Sequence, residues 1–514
     1  MAIAVPQRLN IAAALADGNV IADRGNSVAI ICGDRQVTYS ELVELSSRVG
    51  SGLSRLGIQP EQRVLMALPD SVEFVAAYLG IMRLGAVAVP LNTLLTSDDY
   101  GYILADSRAA AIIGDAATLA QVAVSETEWL RHAVTVGQPP SPPPDGRCSY
   151  TSFDDLLRAG QASFEPMDTA ADDAAFWLYS SGTTGFPKAV VHLHQDVLFS
   201  MQYGEGVLEA DPACRMLASS KLFFAYALGC CLHIPLLAGG TTILNPERAI
   251  PAALAALAIA ERPTHFFSVP TFYAAALHAG VPAGAYDSVR FCVSAGEALP
   301  AHVYDQWLAA TGKEIVEHIG STEHIYAFIS NQPGQVRPGS AGRPVPGIEA
   351  RLVDAQLQDV PAGESGELLI KSGSNAIGYW NKRAQTKHSF AGDWLRTGDM
   401  MSMDEDGYFW YQGRLNDMLK VSGIWVSPIE VEVALGEHPA VGEAAVVGAP
   451  DADGLIKPKA FVVRSAPVEA EELQIWVKHK LAPYKYPRWI EFVEALPRTA
   501  TGKVQRYQLR SSGS

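Results

Sequence analysis

Apolar residues along the first hundred positions change their period repeatedly. Leu42, Leu45, Val49 and Leu53 recur at helical spacing behind Thr38 or Ser40 as a cap, so residues 38–56 are predicted to form an amphipathic helix. Val64 to Ala67 reads as a short buried strand, Ser71 to Leu84 as a helix and Ala86 to Val89 as another strand. The alternation continues through Ala109-Ala110-Ala111-Ile112-Ile113 and predicts a parallel sheet layered by helices. The proline-crowded stretch from Gln138 to Ser149 suits neither helix nor central strand and is predicted to be a surface excursion. Further on, Phe176 to Tyr179 and Ala189 to His192 are rich in aromatic and β-branched residues, as strands are. Phe291-Cys292-Val293-Ser294 and Ile315 to Ser321 are buried strands that each end in a tight turn, where doubly wound sheets bind ligands.

The stretch joining the two aromatic strands carries the most chemistry. Ser180-Ser181-Gly182-Thr183-Thr184-Gly185-Phe186-Pro187-Lys188 combines glycines that let backbone approach a ligand, hydroxyls, and one positive charge. That composition describes a phosphate grip. It is not a Walker A loop, which needs Gly-Lys-Ser/Thr leading into a helix, whereas Phe186-Pro187 separate Gly185 from Lys188. A Ser/Gly-rich surface hairpin is the plain alternative, but a flexible linker has little use for rigid Pro187 beside its only charge.

Composition narrows the class. A chain of 514 residues implies at least two domains, and 48% hydrophobic with 18% charged residues is ordinary for a globular protein. The net charge of −16 argues against a nucleic-acid partner. Arg83 and Pro90 break the longest apolar run, Phe74 to Leu91, so no membrane span is expected; no signal-peptide pattern opens the chain, and a cytoplasmic location is expected. Six cysteines without CxxC spacing read as reduced core thiols. His192-Leu193-His194 would put two imidazoles on one strand face, yet no third metal ligand lies at useful spacing. Leu222 to Gly229 surrounds small residues with aromatics, which suits a slot for a flat ligand or ordinary core packing.

The nonapeptide from Ser180 to Lys188 closely resembles the phosphate-binding signature of the adenylate-forming superfamily, which contains acyl- and aryl-CoA ligases, peptide-synthetase adenylation domains and beetle luciferases. At least five ordered motifs extend the resemblance to Arg506. It implies nucleotide contacts from Ser180, Ser181, Gly182, Thr183, Thr184, Gly185 and Lys188, from the turn Ala295-Gly296-Glu297, and from Glu317-His318-Ile319-Gly320-Ser321-Thr322. Glu323 would hold magnesium, Asp399 would clamp the ribose with Tyr411 and Arg414 nearby, and Lys503 would touch both carboxylate and α-phosphate. Lys503, Glu323 and Thr184 are thus the expected catalytic groups. The same resemblance makes Phe224, Ala225, Tyr226, Ala295, Gly296, Ile319, Gly320, His324 and Tyr326 the acyl pocket. Ile319 stands where many members carry tyrosine and is similar to the benzoate-CoA ligases, whereas Tyr326 replaces their usual histidine and suggests an acid bearing a hydroxyl or amino group. Asn416 falls at the hinge position, often aspartate, and Lys420 and Gly423 at the CoA step.

The resemblance implies an α/β fold: a large N-terminal domain of layered α/β subdomains plus a β subdomain over residues 1–415, and a small mobile α+β lid over 416–514. From Asp417 onward acidic and basic residues balance, so the negative charge belongs to the large domain. The expected reaction is ATP- and Mg²⁺-dependent adenylation of a benzoate-type acid, then transfer to CoA, by a monomer or homodimer. Alternatives are a stand-alone enzyme loading a carrier protein, a luciferase-like oxidoreductase, and a non-catalytic adenylate-binding protein.

Overall fold

The structure is a computed structural model that describes residues 3–122, 128–138, 148–180, 187–421, 424–451, 455–482, 484–498 and 504–511. The chain divides into two compact units: Met1–Pro338 with Gly342–Glu349 and Ile370–Leu395, and Gly339–Ala341 with Ala350–Leu369 and Arg396–Ser514.

The helix predicted over 38–56 is Tyr39–Arg55, and Thr38 caps it. Its hydroxyl accepts from the Glu41 N–H while the Glu41 carboxylate accepts from the Thr38 N–H, a reciprocal arrangement that fixes where the helix starts. Ser71 likewise caps Val72–Arg83. The two helices approach closely because Gly80 has no side chain; a Cβ there would lie 2.6 Å from that of Val49. Arg83, which interrupts the apolar run, is buried and pairs with Asp17 through both terminal nitrogens at 2.7 and 2.9 Å. No helix among the described residues is long and apolar enough to cross a membrane.

Two sheets make up the first unit. One has eight strands in the order Gly378–Tyr379, Lys188–Leu193, Ala174–Ser180, Val87–Pro90, Arg63–Ala67, Ala111–Asp115, His132–Val136 and Ser149–Ser152. Ala174–Ser180 and the five strands after it in this order pair in parallel, as the alternation predicts, while Lys188–Leu193 runs antiparallel to both its neighbours, with Ser180 opposite Lys188. The glycine-rich stretch therefore does join two strands. The other sheet has nine strands, with Phe291–Ser294 beside Ile315–Gly320 in parallel register. Behind it lies a core of Phe266, Phe272, Tyr273, Tyr286 and Trp307. All six cysteines are free thiols, five of them buried.

The expected β-rich stretch is built on Ser365–Lys371, Trp394–Met403 and Phe409–Arg414, and the second unit holds all but residues 370–371 and 394–395 of it. This unit also carries a three-stranded sheet of Val441–Pro450, Ile456–Arg464 and Trp489–Phe492 backed by Pro428–Gly436 and Ala470–Lys480, with Val431, Leu435, Val462 and Leu473 in its core. Asn416, the expected boundary, is exposed in the turn after Phe409–Arg414, inside this second unit.

Candidate active site

The site is built at the carboxyl ends of Phe291–Ser294 and Ile315–Gly320. Gly296, at φ 90°, turns the chain out of the first strand, a conformation that side-chain-bearing residues rarely adopt. Gly320 ends the second with no room for a side chain: a Cβ would lie 2.4 Å from the Tyr326 carbonyl oxygen. Both glycines are exposed. Their chain neighbours Glu297, Ile319, Ser321, Thr322 and Glu323 are half-buried, as are Phe224, Ala225 and Tyr226 of the predicted aromatic run.

Lys188 and Glu323, far apart in sequence, come together here. The Lys188 ammonium lies 3.1 Å from Glu323 Oε1, with 22% and 16% of their side chains exposed. Tyr379 completes the cluster: its hydroxyl donates to Glu323 Oε1 at 2.8 Å, and its ring centroid lies 3.7 Å from Lys188 Nζ. Burial alone would raise the Glu323 carboxyl pKa, but the Lys188 ammonium and the Tyr379 hydroxyl outweigh it and hold the pKa below the ordinary range. An ionised carboxylate on a half-buried turn is a hard oxygen donor and fits magnesium. Among the described residues no group of three His, Cys, Asp or Glu could encircle a cation, so the remaining ligands would have to come from triphosphate and water.

The turn that carries Glu323 is braced from beneath. His192 Nε2 donates to the Thr322 carbonyl at 2.8 Å, its Nδ1 lies 3.0 Å from Asp196 Oδ2, and Phe176 stacks on its ring. His194 instead accepts the Ile11 N–H. Both histidines thus serve protein groups, and they do not share a strand face because a 3₁₀ turn begins at His194.

Several residues expected to face ligand lie behind the crevice wall. Glu317 is buried and accepts the Leu299 N–H at 2.8 Å; burial pushes its carboxyl up to about 8, so it is protonated at neutral pH. His318 bonds the Tyr203 hydroxyl at 2.7 Å, and its ring meets Tyr226 edge-on. Burial lowers the His318 pKa to about 3, which keeps the ring neutral. Tyr226 is fixed from two sides, since its hydroxyl also donates to the Ser268 and Val293 carbonyls. Ala295 and His324 are buried, and His324 Nδ1 donates to the Tyr326 carbonyl. Tyr326 is buried as well; its hydroxyl lies 2.7 Å from His233 Nδ1, and His233 Nε2 is 2.9 Å from the Tyr78 hydroxyl. The hydroxyl expected to meet a polar ring substituent is therefore already engaged.

In the second unit Asp399 is 2% exposed and sits 3.2 Å from the Arg414 guanidinium, its cross-strand partner. Tyr411 lies on the same strand as Arg414, with its hydroxyl pKa raised by burial and by Asp399. Ser181, Gly182, Thr183, Thr184, Gly185, Gly423 and Lys503 lie outside the described residues, as does the side chain of Lys420. Tyr379, His192 and His233 were not singled out as site groups by sequence. Only distant contacts reveal them, and no local period or motif carries that signal.

A lysine and an ionised carboxylate held by a tyrosine beside parallel strand ends suit a polyphosphate and its cation, and similarity to known proteins places the chain among AMP-forming acid–CoA ligases. Residues 19–380 match the AMP-binding enzyme family and residues 430–503 its C-terminal domain. The chain therefore belongs to the AMP-binding enzyme family. It is 44% identical over 522 residues to the benzoate–CoA ligase of Thauera aromatica, covering 99% of this chain and 97% of that protein. The crystal structure of an anthranilate CoA ligase in complex with anthranoyl-AMP superposes with a TM-score of 0.91 at 41% identity over 99% of this chain and 98% of that one. A benzoate CoA ligase from Burkholderia xenovorans LB400 gives 0.89 at 42% identity, over 98% and 100%.

Proposed function

We propose that this chain is an AMP-forming aryl carboxylate–CoA ligase. Its carboxylate substrate attacks the α-phosphate of ATP, pyrophosphate leaves, and the CoA thiolate then displaces AMP from the aryl adenylate. The observation that carries the reading is the Lys188–Glu323 contact beside Tyr379, three residues past the exposed strand end at Gly320. Two anions must be brought into line there, and catalysis consists of positioning them and cancelling their charge. Lys188 supplies a cation for the phosphates, and Tyr226, locked by two carbonyls and His318, offers a rigid flat wall for the ring. Magnesium held at Glu323 would screen the charge that develops on the triphosphate. Asp399, paired with Arg414, is assigned to the ribose hydroxyls; Lys503 is assigned to the α-phosphate, Asn416 to the hinge, and Lys420 and Gly423 to the CoA step.

The test is pyrophosphate release from a panel of ring-substituted benzoates set against medium-chain acids, with ATP and Mg²⁺, followed by AMP release with CoA or a holo-carrier protein as acceptor. Benzoate-type acids with CoA should be the best pair. Failure of every aromatic acid to release pyrophosphate would refute the assignment, and a preference for the carrier protein would move the second half-reaction to a different acceptor. The aromatic acid preferred within the panel also reports on Tyr326: a ring hydroxyl or amine would have to compete with His233 for it.

A further inference from the structure

Tyr379 touches both Lys188 and Glu323, and its backbone, ring and hydroxyl each have a partner. It sits on the two-residue edge strand Gly378–Tyr379, paired with Lys188–Leu193 so that Tyr379 lies opposite Val190. Gly378 before it adopts φ 146°, and a Cβ there would fall 2.5 Å from Thr386 Cγ2, so only glycine lets the strand pass. The Tyr379 N–H donates to Thr386 Oγ1 at 3.0 Å, and Phe390 packs edge-on against its ring. Ser389 Oγ lies 3.3 Å from the Tyr379 hydroxyl. A carboxylate can only accept, so the tyrosine proton points at Glu323 and the serine hydroxyl donates behind it, giving a relay from Ser389 through Tyr379 to Glu323. The ring face meanwhile carries the Lys188 ammonium.

We infer that Tyr379 is a positioning residue that aims Glu323 at the metal of the incoming metal–nucleotide and supports Lys188 for its phosphates, with its hydroxyl and its ring face doing separable jobs. This rests on the reading of Lys188 and Glu323 given above. When Lys188 leaves Glu323 for a phosphate, the hydroxyl keeps one carboxylate oxygen oriented and leaves the rest of the group for the cation. Hydrogen-bond partners of metal-ligating carboxylates commonly change metal affinity by about 10- to 100-fold when removed.

Tyr379→Phe keeps the ring and deletes the relay; Tyr379→Leu deletes both. With the purified full chain, Mn²⁺ affinity in the presence of ATP is read by electron paramagnetic resonance, alongside the Mg²⁺ half-saturation of pyrophosphate release and the KM for ATP at saturating Mg²⁺. The phenylalanine variant should bind Mn²⁺ about tenfold more weakly and need correspondingly more Mg²⁺ to half-saturate pyrophosphate release. The leucine variant should also raise the KM for ATP. Ser389→Ala, further from the ion, should give a smaller weakening of the same sign and serves if Tyr379→Phe proves poorly folded. Unchanged Mn²⁺ affinity in a folded Tyr379→Phe overturns the inference while leaving the ligase reading intact. A wild-type chain that binds no Mn²⁺ with ATP and releases no pyrophosphate sinks the underlying reading instead.

Discussion

The buried chain Tyr78–His233–Tyr326 gives a sharp quantitative prediction. All three residues are 2% exposed or less, and burial depresses the His233 pKa to about 3, so the imidazole is neutral and must use one nitrogen as donor and the other as acceptor. Each nitrogen has one partner, a tyrosine hydroxyl at 2.9 or 2.7 Å. Tyr326→Phe removes the second and leaves a ring nitrogen buried without a partner, which costs about 1–3 kcal/mol. His233→Phe strands both tyrosine hydroxyls and should cost about twice that, plus whatever the larger ring imposes on the π-turn Gly229–His233. In the double variant the Tyr326 site no longer has a polar group to strand, so the combined loss should fall short of the sum by about 1–2 kcal/mol.

Calorimetric unfolding of wild type, both single variants and the double variant gives this cycle; the transition of the first unit is the one that should move. Because the imidazole stays neutral, the coupling should be flat from pH 5 to 8. The acid panel is a second arm. Tyr326→Phe keeps the ring that packs on Gly229, so the ranking of benzoates should change less than the stability does. Strict additivity of the two substitutions, or a coupling that rises as pH falls, would refute the neutral relay.

Three further outcomes follow. Glu317→Gln keeps an acceptor for the Leu299 N–H and removes a carboxyl whose pKa rises from its ordinary value to about 8 on folding. The native state holds that proton longer than the unfolded chain does, so wild-type stability should fall as pH climbs from about 4.5 through 8, by at most about 5 kcal/mol; the glutamine variant should lose that slope in pH-dependent melting. Lys503→Ala should abolish ATP-dependent adenylation yet leave thioester formation from a supplied aryl adenylate largely intact, and equal loss in both half-reactions would discredit its assignment. Ala225→Leu should narrow the range of acids accepted, read as relative kcat/KM across ring-substituted benzoates; an unchanged profile would remove Ala225 from the pocket.

Much of the frame was legible because it is written in periods. Thr38 and Ser71 mark their helices through local hydrogen bonds, and the strands from Arg63 to Asp115 are continuous apolar runs, so neighbours in sequence suffice to predict them. The glycine-rich loop was legible as a strand connection because aromatic and β-branched runs flank it. Orientation was not legible. Glu317 and Glu323 stand six positions apart near one strand end, yet burial keeps one carboxyl protonated while Lys188 and Tyr379, neither of them a sequence neighbour, hold the other ionised. Tyr326 read as a pocket wall because nothing in the chain announced that His233 would claim its hydroxyl.

The pairing of Lys188 with Glu323 also bears on how the crevice receives a polyanion. Each neutralises the other, so a triphosphate that takes the lysine must leave behind a partly buried carboxylate with a single hydroxyl donor from Tyr379. An unpaired charge in that setting costs several kcal/mol. On the roles proposed above for Lys188 and Glu323, the exchange would become favourable only if the nucleotide brought its own cation, which would take the place of Lys188 at the carboxylate while a phosphate took the place of Glu323 at the lysine. On that reading, charge balance inside the protein would favour metal–nucleotide over free nucleotide.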